Sequence, residues 1–308
     1  MKYISIRTST IRGDQKIGFN TYVQIDEKTL LYLKKGDSFE GPRLKKFKDK
    51  KIKKMFILTD EESLYLKYLD ENINIAYDNK SGKDIQNRAD IIQGDQQANT
   101  EQLFENPSNA ASYDIAKNAA AKYVDFILSN THALSSVMSI QNIDQSLTHH
   151  GVTVATLAIA LASKLGINNE KQTQLLTLGS LLHDFGHFDS TVSHTKSRKQ
   201  MQPDELKTYL THSRVGAEKI RDKKHFDQTV INIILQHEEL INGAGPQKLS
   251  EKQTDPLAVI VSACNALDRL IINDGVAKNM AAKTLMLESV GAHPLQYIQF
   301  LGDILKTT

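Results

Sequence analysis

The chain has 308 residues, 40% of them hydrophobic and 24% charged, and a formal net charge of +2. These proportions exclude collagen-like, coiled-coil and wholly disordered chains, and the near-neutral balance argues against nucleic acid as the main partner. No apolar run reaches the ~18 residues that span a bilayer. The opening Met1-Lys2-Tyr3-Ile4-Ser5-Ile6-Arg7 lacks the apolar centre of a signal peptide, so the expected location is the cytoplasm.

Residues 1–78 read as a small α+β module with a regulatory or sensory role. Tyr3-Ile4-Ser5-Ile6 and Tyr22-Val23-Gln24-Ile25 alternate as half-buried strands do, and Met55-Phe56-Ile57-Leu58 is a short apolar run fit for a buried strand. Asp60-Glu61-Glu62 opens a helix through Leu64, Leu66 and Leu69, its acids at the positive end of the helix dipole. Between these elements, eight Lys or Arg from Arg43 to Lys54 face only Asp49. Without interleaved aromatics the run reads as a solvated helix face rather than a dock for nucleic acid or lipid. From 79 to 107 the composition turns to Asn, Gln, Asp, Lys and Gly, which reads as a polar linker or a loosely packed solvated helix.

The remainder, 108–308, is helical in pattern throughout. One helix carries Val154, Leu157, Leu161 and Leu165 and stops at Gly166, and the next carries Leu175, Leu176, Gly179 and Leu182. Pro203 suits the first turn of another. Val230, Ile233 and Ile234 mark a fourth, and Leu257, Ile260, Val261 and Cys264 a fifth. The fold class is therefore an α+β N-terminal domain followed by an all-α helical bundle.

A single cysteine, Cys264, excludes a disulfide framework and a cysteine-rich zinc site, which leaves His, Asp and Glu as metal ligands. The histidines occupy informative faces. His150 lies on the stripe of Val154, Leu157 and Leu161; His183, beside Asp184, extends the stripe of Leu176 and Leu182; His237 follows Val230, Ile233 and Ile234. His212 falls three residues after Tyr209 and three before Val215. One such histidine is an ordinary hydrogen-bonded core residue. Four on successive helices, with a carboxylate, call for a cation to offset the cost of burial. Oxygen and imidazole donors without thiolate suit manganese, iron or zinc.

His150, the His183-Asp184 pair and a later acidic or amide position resemble the H…HD…D pattern of the HD phosphohydrolase superfamily. Leu181-Leu182-His183-Asp184-Phe185-Gly186-His187 resembles the LLHDxGK stretch of HD-GYP domains, and His212-Ser213-Arg214-Val215-Gly216-Ala217-Glu218 their HPxxGAE segment. Gln236-His237-Glu238 with Asn242-Gly243-Ala244-Gly245-Pro246 is similar to an eroded HHE…DGxGYP. The resemblance covers roughly residues 110–305 and implies an HD-type bundle of bacterial signalling with a cyclic di-GMP phosphodiesterase site. It also implies two divalent ions, iron or manganese. His150, His183, Asp184 and Asn265 would hold one, and Asp184, His212, Gln236 and His237 the other. A hydroxide bridging the ions would attack phosphorus, with Asp184 and His187 as the catalytic side chains.

Several positions depart from the family pattern. Ser146 stands where metal-rich members carry Glu, Gln236 replaces the first His of HHE, Asn265 an Asp, and His187 the Lys of HDxGK. Gly245 runs straight into Pro246, so the signature Tyr is missing, and Leu270-Ile271-Ile272-Asn273 offers no obvious phosphate-gripping base. The leading expectation is a phosphodiesterase of cyclic di-GMP or a related cyclic dinucleotide. The alternative is a catalytically impaired module that binds a cyclic dinucleotide or a signalling protein. Glu238 and Asp268 read as acceptors that orient ligands, His132, His194, His225 and His293 as surface histidines, and Cys264 as core packing. His194, Lys196, Arg198 and Lys199 read as a solvated loop, with a mobile lid whose positive cluster meets a phosphate as the alternative reading.

Overall fold

A computed structural model describes residues 2–11, 15–25, 28–38, 54–140 and 146–308. The basic run read from Arg43 to Lys54 lies outside the described residues except for Lys54 itself. The chain divides into two compact units, Met1–Ala98 and Asn99–Thr308.

The first unit holds an antiparallel sheet of four strands, β1 (Tyr3–Arg7), β2 (Thr21–Ile25), β3 (Lys28–Leu33) and β4 (Lys54–Leu58), in the order β1-β4-β2-β3. β1 pairs with β4 from Tyr3 opposite Leu58 to Arg7 opposite Lys54, and β2 and β3 form a hairpin. Ile6, Val23, Leu33, Met55 and Ile57 point to one side and pack with Phe19 against Tyr65 and Tyr68 of α1 (Glu62–Tyr77). The three strands read from the sequence are present. β3 was not read, because Leu30 and Leu31 are both exposed and the strand lacks an alternating buried face.

The segment read as polar, 79–107, contains α2 (Ile85–Glu105). Its polar composition hides buried positions: Ala89, Ile92, Gln96, Thr100 and Leu103 are all inaccessible. Within the first unit, the Arg88 guanidinium donates to the carbonyl of Ala76 (2.6 Å) and to Asn79 Oδ1 (2.8 Å), so it satisfies carbonyl groups at the end of α1.

The second unit is helical: α3 (Ala110–Ser129), α4 (Ala133–Met138), α5 (Leu147–Lys164), α6 (Glu170–Leu182), α7 (Pro203–Leu210), α8 (His212–Glu218), α9 (Gln228–Gln236), α10 (Pro256–Ile272), α11 (Lys278–Glu288) and α12 (Leu295–Lys306). α5 starts where Ser146 accepts from the His149 amide, a serine N-cap. Its residues Val154, Leu157 and Leu161 meet Ile260, Val261, Cys264 and Leu267 of α10, with Leu301 and Ile304 of α12, in one apolar core. α5 and α6 approach so closely that a Cβ on Gly151 would lie 2.8 Å from the Leu181 carbonyl oxygen. That approach sets the start of α5 beside the end of α6, where His150 and His183 sit. None of the described helices is long and apolar enough to cross a membrane.

Candidate metal centre

Four helix ends and one helix flank deliver the polar side chains. His150 comes from the first turn of α5, His183 caps the end of α6, and Asp184 begins the turn that follows. His212 opens α8, and His237 caps α9. Asn265, Asp268 and Arg269 lie on the flank of α10. The turn after Asp184 is pressed against α8. A Cβ on Gly186 would stand 1.9 Å from the His212 carbonyl oxygen, so only glycine lets these two segments meet.

The imidazoles are oriented from behind. Nδ1 of His183 donates to the Ser180 carbonyl (2.6 Å), that of His212 to the Tyr209 carbonyl (2.6 Å) and that of His237 to the Ile234 carbonyl (2.9 Å). His150 Nδ1 donates instead to Asp268 Oδ2 at 2.6 Å. A carbonyl oxygen can only accept, so in each neutral ring the proton is on Nδ1 and Nε2 carries a lone pair. All four Nε2 atoms then face inward. His212 Nε2 is 2.9 Å from His237 Nε2, and His183 Nε2 is 3.3 Å from His150 Nε2.

Asp184 lies among them. Its Oδ1 is 3.2 Å from His212 Nε2 and 3.5 Å from the Nε2 atoms of both His183 and His237, and it has no hydrogen-bond partner. Its Oδ2 is 3.6 Å from His150 Nε2 and accepts from Arg269 Nη2 at 2.7 Å. Asn265 Oδ1 stands 3.0 Å from His150 Nε2. Lone pairs facing lone pairs in a buried space repel unless a positive ion lies between them. This donor set, nitrogen and oxygen without sulfur, fits divalent metal. Three overlapping groups place ligand atoms within 4.8 Å of one another: His150, His183 and Asp184; Asp184, His187 and His212; and His212, His237 and Glu238.

Electrostatics agree with that fit. Burial drives the His183 imidazole well below its ordinary range, with its histidine neighbours adding to the effect of burial, and burial lowers His212 as well. Burial alone would raise the Asp184 carboxyl, but the Arg269 guanidinium beside it outweighs burial and holds the group well below the usual carboxylate range. Glu238 behaves alike, with Arg198 as its main partner. Burial pushes His187 down to about 2, so it is neutral. It stacks on His212 with centroids 3.9 Å apart, and neither of its ring nitrogens has a hydrogen-bond partner among the described residues.

The sequence-expected residues thus fall into two sets. His150, His183, Asp184, His187, His212, His237 and Asn265 come together. Gln236 does not join them. Its Oε1 accepts from the Asp255 amide at 2.7 Å, and Asp255 is ten residues from Asn265 on the same helix stretch, about 15 Å along an α-helix. Glu238, read as an orienting acceptor, has Oε1 3.8 Å from the Nε2 atoms of both His212 and His237. Asp268 does act as the acceptor behind His150.

Two arginines were missed. Arg269 lies one turn after Asn265 and so shares its face, a signal available in the spacing. Arg198 was read in a solvated loop, yet it donates to Glu238, while the neighbouring Lys196 and Lys199 pair with Glu205 and Glu288. His293, read as a surface histidine, is buried and its imidazole is pushed down to about 4 by burial.

The chain is similar to known proteins. The HD domain family matches residues 147–270. The solved structure of Bd1817, a HDG"Y"P protein from Bdellovibrio bacteriovorus, is 62% identical and covers 99% of this chain and 100% of its own, with a TM-score of 0.94. The chain belongs to the HD-GYP family. Two curated relatives match a little under half of the chain each. A cyclic di-GMP phosphodiesterase of Pseudomonas aeruginosa, PA4108, is 27% identical over 145 residues, 47% of this chain and 35% of that protein. The cyclic di-GMP phosphodiesterase PdeB of Borreliella burgdorferi is 22% identical over 142 residues, 46% of this chain and 37% of that protein. This HD-GYP chain therefore aligns with only about a third of the length of the curated relatives it matches.

Proposed function

We propose that this HD-GYP protein is a metal-dependent phosphodiesterase that opens cyclic di-GMP or a related cyclic dinucleotide at a centre of two divalent ions. The observation that carries the reading is the convergence of four buried Nε2 atoms on the Asp184 carboxylate, those of His183, His212 and His237 at Oδ1 and that of His150 at Oδ2. His150, His183, Asp184 and Asn265 would hold one ion. Asp184, His212 and His237 would hold the other, with Glu238 adjacent. The chemistry such ions supply when bound is the lowering of a water's pKa and neutralisation of phosphate charge.

The protein's own residues do the rest. The Ser180, Tyr209 and Ile234 carbonyls and the Asp268 carboxylate fix the tautomer and direction of each imidazole. His187, neutral and with both ring nitrogens unpaired, serves as a hydrogen-bonding group beside the reacting phosphate rather than as a charge. The α+β unit, which has a core of its own, serves as the regulatory module.

The second reading, a receptor that binds a cyclic dinucleotide or a protein partner without cleaving it, is favoured by one observation: the neutral His187 occupies the place of the family's lysine. The experiment that separates the two loads the full chain with manganese or ferrous iron under reducing conditions and follows cyclic di-GMP. Linear product that vanishes in Asp184→Ala supports the enzyme. Tight binding without product supports the receptor, and neither binding nor product rejects both.

A further inference from the structure

The two halves of the centre are not equivalent. Around His212 and His237 the shared carboxylate oxygen is free of a competing cation: no arginine donates to Asp184 Oδ1 among the described residues, and the Nε2 atoms face it at 3.2 and 3.5 Å, while Arg198 holds the more distant Glu238 Oε1. Around His150 the oxygen atoms are already engaged by one cation. Arg269 donates through Nη2 to Asp184 Oδ2 at 2.7 Å and through Nε to Asn265 Oδ1 at 2.9 Å. Those are the two oxygens that would complete the His150 site.

Arg269 is also held by groups that play no part in ligation. Its Nη1 donates to the His194 carbonyl at 3.2 Å, and its guanidinium lies 5.2 Å from the centre of the Tyr209 ring. Asn273 Nδ2 donates to the same His194 carbonyl at 3.0 Å, which fixes that carbonyl in turn. The side chain is buried, and its guanidinium stays charged at every accessible pH. An ion entering beside His150 must share both oxygens with this fixed positive charge in a space of low dielectric, whereas an ion beside His212 and His237 meets Asp184 Oδ1, to which no arginine donates among the described residues, and shares only Glu238 with Arg198.

We infer that Arg269 makes the centre asymmetric, so that the His212 and His237 half takes up its ion first and tightly while the His150 half binds its ion weakly. Arg269 is then a positioning residue that sets metal occupancy through Asp184 and Asn265. The inference rests on the two-ion reading proposed above.

The test is calorimetric titration of the metal-free full chain with manganese alone, for the wild type, Arg269→Gln and Arg269→Lys, with thermal melts to show that each variant is folded. The wild type is expected to show two classes of site whose affinities differ by about tenfold or more, the equivalent of about 1.4 kcal/mol. In Arg269→Gln the weak class should tighten by about tenfold, closing the gap. Arg269→Lys keeps the charge and should keep the split. Two ions bound with equal affinity in the wild type, or a weak class unmoved by Arg269→Gln, would overturn the inference while leaving the two-ion centre standing. No manganese bound by the wild type would remove the centre itself, and a single weak class lost in His212→Ala would reverse the assigned order.

Discussion

α5 and α10 each serve two environments, and the contrast between them explains how the helical unit separates stability from chemistry. Along α5, Val154, Leu157 and Leu161 enter a core of aliphatic side chains, while His149 and His150 at its start are buried among polar groups. On α10, Ile260, Val261, Cys264 and Leu267 face that core, and Asn265, Asp268 and Arg269 face the imidazoles. Burial and shape suffice in the first environment, where volume-conserving changes are tolerated. In the second, each group must be matched, because an unpaired polar atom in low dielectric is costly. The same helices thus carry the aliphatic core on one face and the polar cluster on the other.

The largest effect is expected from a change that strikes only the polar side. Asp184→Asn keeps the shape and removes the shared charge. Phosphodiesterase turnover is expected to fall by at least about a thousandfold, with the fold retained by circular dichroism; retained turnover would mean that the carboxylate is not shared chemistry. The converse change strikes only the apolar side. Leu157→Ala should lower unfolding free energy by about 2–5 kcal/mol in urea denaturation, while metal content per folded chain is unchanged. Loss of metal in that variant would show that the two environments are not separable.

His293 tests the border between them. Its imidazole is buried and held down at about 4 against an ordinary 6.5, so the unfolded chain binds the proton more readily than the folded one. Stability from this residue is complete above about pH 6.5 and is lost as pH falls toward 4, by up to about 3 kcal/mol. In the presence of chelator, His293→Gln should therefore lose less stability than the wild type between pH 7.5 and pH 4.5. Equal losses would show that the ring is already solvated. The smallest expected effect is local. Glu239 accepts from the Gln247 amide at 2.8 Å and the Leu249 amide at 2.9 Å, organising the loop where the family's signature Tyr is missing. Glu239→Gln should cost about 1–2 kcal/mol and raise hydrogen exchange at those two amides.

How much of this was legible in the sequence depended on the pattern each region carries. The apolar core announced itself through spacing at three and four residues, and the histidines at 150, 183, 212 and 237 were legible because each extended such a stripe. β3 was not legible because an edge strand with Leu30 and Leu31 exposed has no alternation to read. α2 was legible only as one alternative, a loosely packed solvated helix, and its burial was hidden for the opposite reason: it buries Gln96 and Thr100, polar residues that composition assigns to solvent. In the centre, Gln236 was misplaced because motif order says nothing about which way a helix end turns. Arg198 was misread because its partner, Glu238, is forty residues distant in sequence and only tertiary packing joins them.

The most direct test of the centre is metal content at equilibrium. The full chain, freed of metal and dialysed against excess manganese, should hold about two ions by elemental analysis, and Asp184→Ala should hold almost none. A wild-type chain that stays metal-free under those conditions would contradict the account at its root.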